Sequence, residues 1–121
     1  MQGEDFSLIQ LILPSGILDY FIISKVAHSE KAIHIHLKEK NEVPDEFRHE
    51  RLISKGFFDE IQVQDFPIRG KAVYLLIKRR RWINESTGNT VFRNWEHVAK
   101  GTRMTKEFAA FLKVIARHQA R

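Results

Sequence analysis

At 121 residues with no cysteine, the chain has the length of one domain and excludes disulfides and every thiolate metal site. Its 43% apolar and 11% aromatic content argues against a wholly disordered polymer, and no apolar run approaches the roughly 20 residues of a membrane-spanning helix. The net charge of +5 hides a split: residues 1–60 carry 7 Lys/Arg against 11 Asp/Glu, or −4, and residues 61–121 carry 13 against 4, or +9.

The N-terminus, Met1-Gln2-Gly3-Glu4-Asp5, is acidic and lacks the basic flank and apolar core of a secretory signal, which suits a cytoplasmic protein. Phe6 to Leu13 predicts a short helix stopped by Pro14-Ser15-Gly16. From Ile17 to about Ala27 the β-branched and aromatic content predicts a strand. After the polar turn His28-Ser29-Glu30-Lys31, the segment Ala32 to Lys38 alternates, with Ile33, Ile35 and Leu37 on the inward face, so the two strands form a hairpin. Lys38 to Glu50 is densely charged and contains Pro44, and reads as a linker or a short surface helix.

Residues 57–66 alternate again and place Phe57, Ile61 and Val63 on one face. Pro67 and Gly70 bound a turn, and Lys71 to Trp82 predicts one longer strand. The loop 84–89, with Gly88 and Asn89 suited to positive φ, leads into Thr90 to Trp95 and makes a second hairpin. A C-terminal helix follows: Thr102 or Thr105 can cap it, and Phe108, Phe111, Leu112 and Ile115 fall at helical spacing. The expected fold is α+β, with two antiparallel hairpins, merged into one sheet or not, between a short N-terminal helix and an amphipathic C-terminal one. It forms one domain over 1–121, with an acidic hairpin lobe over about 1–48 and a basic lobe plus helix over about 49–121.

A basic half attracts polyanions through Coulomb forces and counterion release, which makes nucleic acid the leading partner class. The run Lys78-Arg79-Arg80-Arg81 is its densest point. In a strand, Arg79 and Arg81 point one way and Lys78 and Arg80 the other, so one pair faces a phosphate backbone at a time. Arginine suits that task because its planar fork donates two parallel hydrogen bonds. The competing explanation is a charged edge strand that blocks aggregation. His34 and His36 share a strand face at chelating spacing, with His28 across the turn, but no third ligand of the right kind is evident. Asp59, Glu60 and Asp65 fit solvated strand ends better than a convergent nuclease site. No nucleophile elbow or phosphate-binding glycine loop is present, so neither catalysis nor a cofactor is expected.

The order of features from His49 to Ile115 resembles the N-terminal region of bacterial insertion-sequence transposases of the zinc-ribbon-like and helix-turn-helix type. The resemblance rests on Asp65-Phe66-Pro67-Ile68-Arg69-Gly70-Lys71-Ala72-Val73-Tyr74-Leu75, then Lys78-Arg79-Arg80-Arg81-Trp82 and Thr90-Val91-Phe92. Gly101-Thr102-Arg103-Met104-Thr105 ahead of the amphipathic helix completes it, and Leu13 to Phe21 resembles a subgroup in which this region is a separate short reading frame. The chain departs from the zinc-bearing relatives, because Trp82 stands where a ligand cysteine follows the basic run. An aromatic core of Trp82, Trp95, Phe92 and Tyr74 would then replace the metal as the staple.

The resemblance implies DNA binding at transposon ends without strand cleavage. Lys78, Arg79, Arg80, Arg81, Arg93, Lys100, Arg103 and Lys106 would supply phosphate contacts, and helices not contained in this chain would read bases. A separately encoded or frameshift-fused catalytic part would be the partner, no membrane is involved, and the oligomeric state stays open. Two rivals remain: a protein-interaction module recruited through the acidic half, and a small nuclease built on Asp59, Asp65 and histidines.

Overall fold

A computed structural model of the protein describes residues 6–101 and 106–118. Among the described residues, seven strands in two sheets and three α-helices give an α+β fold, divided into two compact units. One unit is Phe21–Arg93 and holds all the strands; the other joins the two ends of the chain, through Tyr20 and from Asn94 onward.

In the strand unit, β1 (Phe21–His28) and β2 (Ala32–Glu39) form the expected hairpin. Its turn is closed by Ser29, whose hydroxyl accepts the N–H groups of Lys31 and Ala32, both at 3.2 Å. The predicted start at Ile17 is corrected: Ile17–Asp19 is a 3-10 turn entered through Gly16 at φ 97°, and the strand begins at Phe21. A 3-10 turn over Asp45–Phe47, following Pro44, interrupts the charged segment after β2.

The alternating stretch 57–66 is two strands. β3 (Leu52–Phe57) ends before Phe58–Glu60, and β4 (Ile61–Ile68) begins after them. The long strand predicted over 71–82 is likewise broken, at Arg79, into β5 (Lys71–Lys78) and β6 (Arg80–Asn84). The two breaks lie opposite each other, where the Phe58 N–H donates to the Arg79 carbonyl at 2.9 Å. A single ribbon thus bends at that point: β4 and β5 pair on one side, β3 and β6 on the other. The tip of the β4–β5 hairpin uses positive φ at both Arg69 (50°) and Gly70 (78°), which matches the twist of the flanking strands. β7 (Thr90–Phe92) pairs with β6 as the second predicted hairpin.

The hairpins do not remain separate. β2 runs parallel to β5, giving a four-stranded sheet in the order β1-β2-β5-β4, beside a three-stranded sheet in the order β3-β6-β7. The larger sheet therefore draws strands from both sides of residue 48. One of its faces is buried, with Phe21, Ile35, Leu37, Val63, Val73, Leu75 and Ile77 all at 9% exposure or less. The alternate residues form an open face, because side chains along a strand point in turn to opposite sides.

In the helical unit, α1 (Ser7–Gln10) is a single turn, and α2 (Trp95–Gly101) and α3 (Lys106–Arg117) follow the last strand. The predicted strand over 90–95 is corrected at its end, since Trp95 opens a helix whose His97 N–H is capped by the Asn94 carboxamide at 3.0 Å. Thr102 and Thr105, expected as caps of α3, lie outside the described residues. The apolar stripe of α3 is buried as its spacing predicts, and Phe108 stacks on Tyr20 while Trp95 meets the same ring edge-on at 5.5 Å. Among the described residues no helix is long and apolar enough to cross a membrane.

Candidate nucleic-acid interface

The basic run falls on the bend of the ribbon, and its four cations differ in burial. Lys78 is the last residue of β5 and is exposed. Arg79 follows in the break and turns inward: it is 8% exposed, and its Nε has no hydrogen-bond partner. Its guanidinium carbon lies 5.4 Å from the Phe58 ring centre. Burial pulls its pKa below the ordinary arginine value, and the nearby Glu39 carboxylate opposes that shift.

Arg80 is half-buried over the ring of its cross-strand partner Phe57, 4.5 Å from the centroid. It donates from Nε to the Glu39 carbonyl at 3.2 Å and from Nη1 to the Ser54 hydroxyl. Arg81 is exposed; its Nε donates to the Lys55 carbonyl at 3.1 Å and its guanidinium carbon lies 5.9 Å from the Phe58 ring centre. Arg79 and Arg81, expected on one face, both lie over the Phe58 ring, at 5.4 and 5.9 Å, but Arg79 is buried and Arg81 is exposed.

Arg93, also expected as a phosphate contact, is engaged within the protein. Its Nε donates to Glu39 Oε2 at 2.8 Å and its Nη2 to the Glu42 carbonyl at 2.7 Å. Glu39, assigned from sequence to the charged linker, is the last residue of β2 and is 1% exposed. Its other oxygen accepts the Arg80 backbone N–H at 2.9 Å. Burial pushes the Glu39 carboxyl above its ordinary value of 4.5, and the bonds from Arg93 and Arg80 pull the other way. Arg79, Arg80 and Arg93 are thus held around one buried anion at the bend. Their signal in the sequence was Glu39 itself, the one acid on the inward parity of Ile33, Ile35 and Leu37.

Of the other predicted contacts, Lys100 sits in α2 and Lys106 in α3, while Arg103 lies outside the described residues. The aromatic staple is also corrected. Trp82 is fully buried and donates from its indole N–H to Asn41 Oδ1 at 3.0 Å, and Trp95 is buried in the helical unit. Tyr74 instead lies half-exposed on the open sheet face, and Phe92 is 39% exposed.

That open face brings together side chains from strands distant in the chain. His34 and Tyr74 are register partners and their rings stack at 5.1 Å. Lys38 and Lys78 are register partners two rows further on, beyond His36 and Leu76, and Lys25 is paired with His36. His28 belongs to the opposite parity, paired with Ile33, so the three histidines do not converge. His36 Nδ1 lies 3.4 Å from Glu60, and Asp65 caps the Phe66 N–H at 2.8 Å. Among the described residues no three His, Asp or Glu side chains cluster as metal ligands. No protein-family model, curated protein or solved structure matches the chain, so its functional reading rests on its own residues.

Proposed function

We propose that the chain is the DNA-binding N-terminal region of an insertion-sequence transposase, a non-catalytic cytoplasmic part that positions transposon-end DNA. Strand cleavage would belong to a separately encoded or frameshift-fused catalytic part. The observation that carries the reading is the charge split, with 13 Lys/Arg against 4 Asp/Glu over 61–121. A domain so biased gains affinity for duplex DNA by releasing condensed counterions, whatever the base sequence. Lys78 and Arg81 meet solvent and supply phosphate contacts, and Lys100, Arg103 and Lys106 of the C-terminal segment are further candidate contacts. Arg79, Arg80 and Arg93 contribute by fixing the bend from which Lys78 and Arg81 project.

The alternative is a protein-interaction module, favoured by Leu8 and Leu11, which are 77% and 79% exposed. Titrating the purified chain into labelled duplexes, with and without insertion-sequence ends, separates the two. The DNA reading expects binding to both at modest salt and tighter binding to the ends. Absence of binding to either duplex would refute it.

A further inference from the structure

The geometry points to a second contact surface on the same unit, the open face of the four-stranded sheet, which we infer binds unpaired DNA by stacking bases on Tyr74 and His34. The inference rests on the DNA-binding reading above and adds to it the form of the nucleic acid and the place where it lies. Tyr74 and His34 occupy the two central strands, β5 and β2, with their rings stacked at 5.1 Å and 25° and neither fully buried. Such a pair offers a π-surface to an incoming base. A base in a duplex has both faces occupied by its neighbours, so only an unpaired one can use it.

Charge on this face selects the ligand. Lys38 and Lys78 are direct neighbours in the parallel register, which sets two like charges side by side where an anion would be attracted. Lys25 lies one row nearer the aromatic pair, opposite His36. The strand residues of this parity include no Asp or Glu; Glu60, just before β4, is paired with His36. On the edge strand β4, Gln62 and Gln64 are exposed, and Gln64 is the register partner of Tyr74. Their carboxamides supply both a donor and an acceptor for base edges. The face thus combines a central ring pair, a row of cations at one end and neutral hydrogen-bonding groups at the side. That combination fits a single polynucleotide strand, with phosphates on the lysines and a base over the rings.

The test uses the full chain and measures binding of a labelled unpaired oligodeoxynucleotide and of the same sequence as a duplex. Tyr74→Ala is expected to weaken the unpaired strand by about fivefold to about a hundredfold, the range for loss of one base–aromatic stack, while duplex affinity holds. Tyr74→Phe, which keeps the ring, is expected to bind the strand like the parent. Should Tyr74→Ala fail to fold, His34→Ala carries the same expectation. If the substitution leaves strand binding unchanged, or weakens strand and duplex alike, the platform is refuted and the DNA-binding reading stands. If the parent binds neither form, both fall. If Tyr74→Ala instead dissociates a dimer in sedimentation and leaves strand affinity alone, the face belongs to a second copy of the chain and the inference is overturned.

Discussion

Glu39 closes β2 on the buried parity of the strand, and the guanidinium of Arg93 and the backbone N–H of Arg80 meet its two oxygens. Removing one partner of such a pair strands the other's charge without water, so Glu39→Ala should cost about 3–5 kcal/mol in chemical unfolding. The pH dependence separates burial from attraction. Burial raises the Glu39 carboxyl above 4.5, so the folded chain holds this proton more tightly than the unfolded one. The stability it contributes is then fully present below that ordinary value and is lost as pH rises through the raised one. Comparison with Glu39→Gln cancels the other carboxyl groups. The parent's stability relative to the variant should decline from pH 4.5 upward. A relative stability that grows with pH would show that Arg93 and Arg80 outweigh burial and hold the carboxyl below its ordinary value.

Elements set by local pattern were legible in the sequence; elements set by distant partners were not. The β1–β2 hairpin followed from alternation around a polar turn, and the buried stripe of α3 from its 3.6-residue spacing. The break at Arg79 was hidden, because a run of basic residues has no hydrophobic period to lose. Its cause lies across the ribbon, in the Phe58–Glu60 break and the rings of Phe57 and Phe58 beneath the guanidinium groups. The parallel pairing of β2 with β5 joins segments about forty residues apart, which no window of sequence can show. Hence the open-face partners His34 and Tyr74 could not be brought together from the sequence, although each was visible in it. The helical unit has its own fixed point at Gly16. There φ is 97°, and an added Cβ would lie 2.9 Å from the Phe108 ring, which is held between Tyr20 and Phe111. Gly16→Ala therefore meets both backbone strain and a stacked aromatic, and should cost on the order of 1–3 kcal/mol from the backbone alone. A variant that melts with the parent would show that the 3-10 turn and α3 yield freely.

At the scale of the whole molecule, the core is mainly apolar and aromatic, with Glu39, Arg79 and Asn84 buried among it. Trp82 is fully buried, and its indole N–H is satisfied by Asn41. Dialysis against a strong chelator should accordingly leave the thermal transition unchanged, and a fall of several degrees would reveal a metal site. Duplex binding by the proposed contacts should respond to salt. Each phosphate neutralised by a lysine or arginine releases about 0.9 of a counterion from duplex DNA, so the slope of log K against log salt counts contacts. With three of the basic run's and hairpin's arginines held around Glu39, the count falls to Lys78 and Arg81 with the cations of the C-terminal segment, roughly four to five, and the slope should be about −4. Lys78→Ala with Arg81→Ala should flatten that slope by about 1 to 2 and weaken all duplexes alike. Arg79→Ala should act differently: it empties a buried position at the bend, lowering stability first and DNA affinity only through loss of the fold. If Arg79→Ala flattens the slope while the protein stays as stable as the parent, that side chain reaches phosphate in the complex. The bend would then have to open on binding.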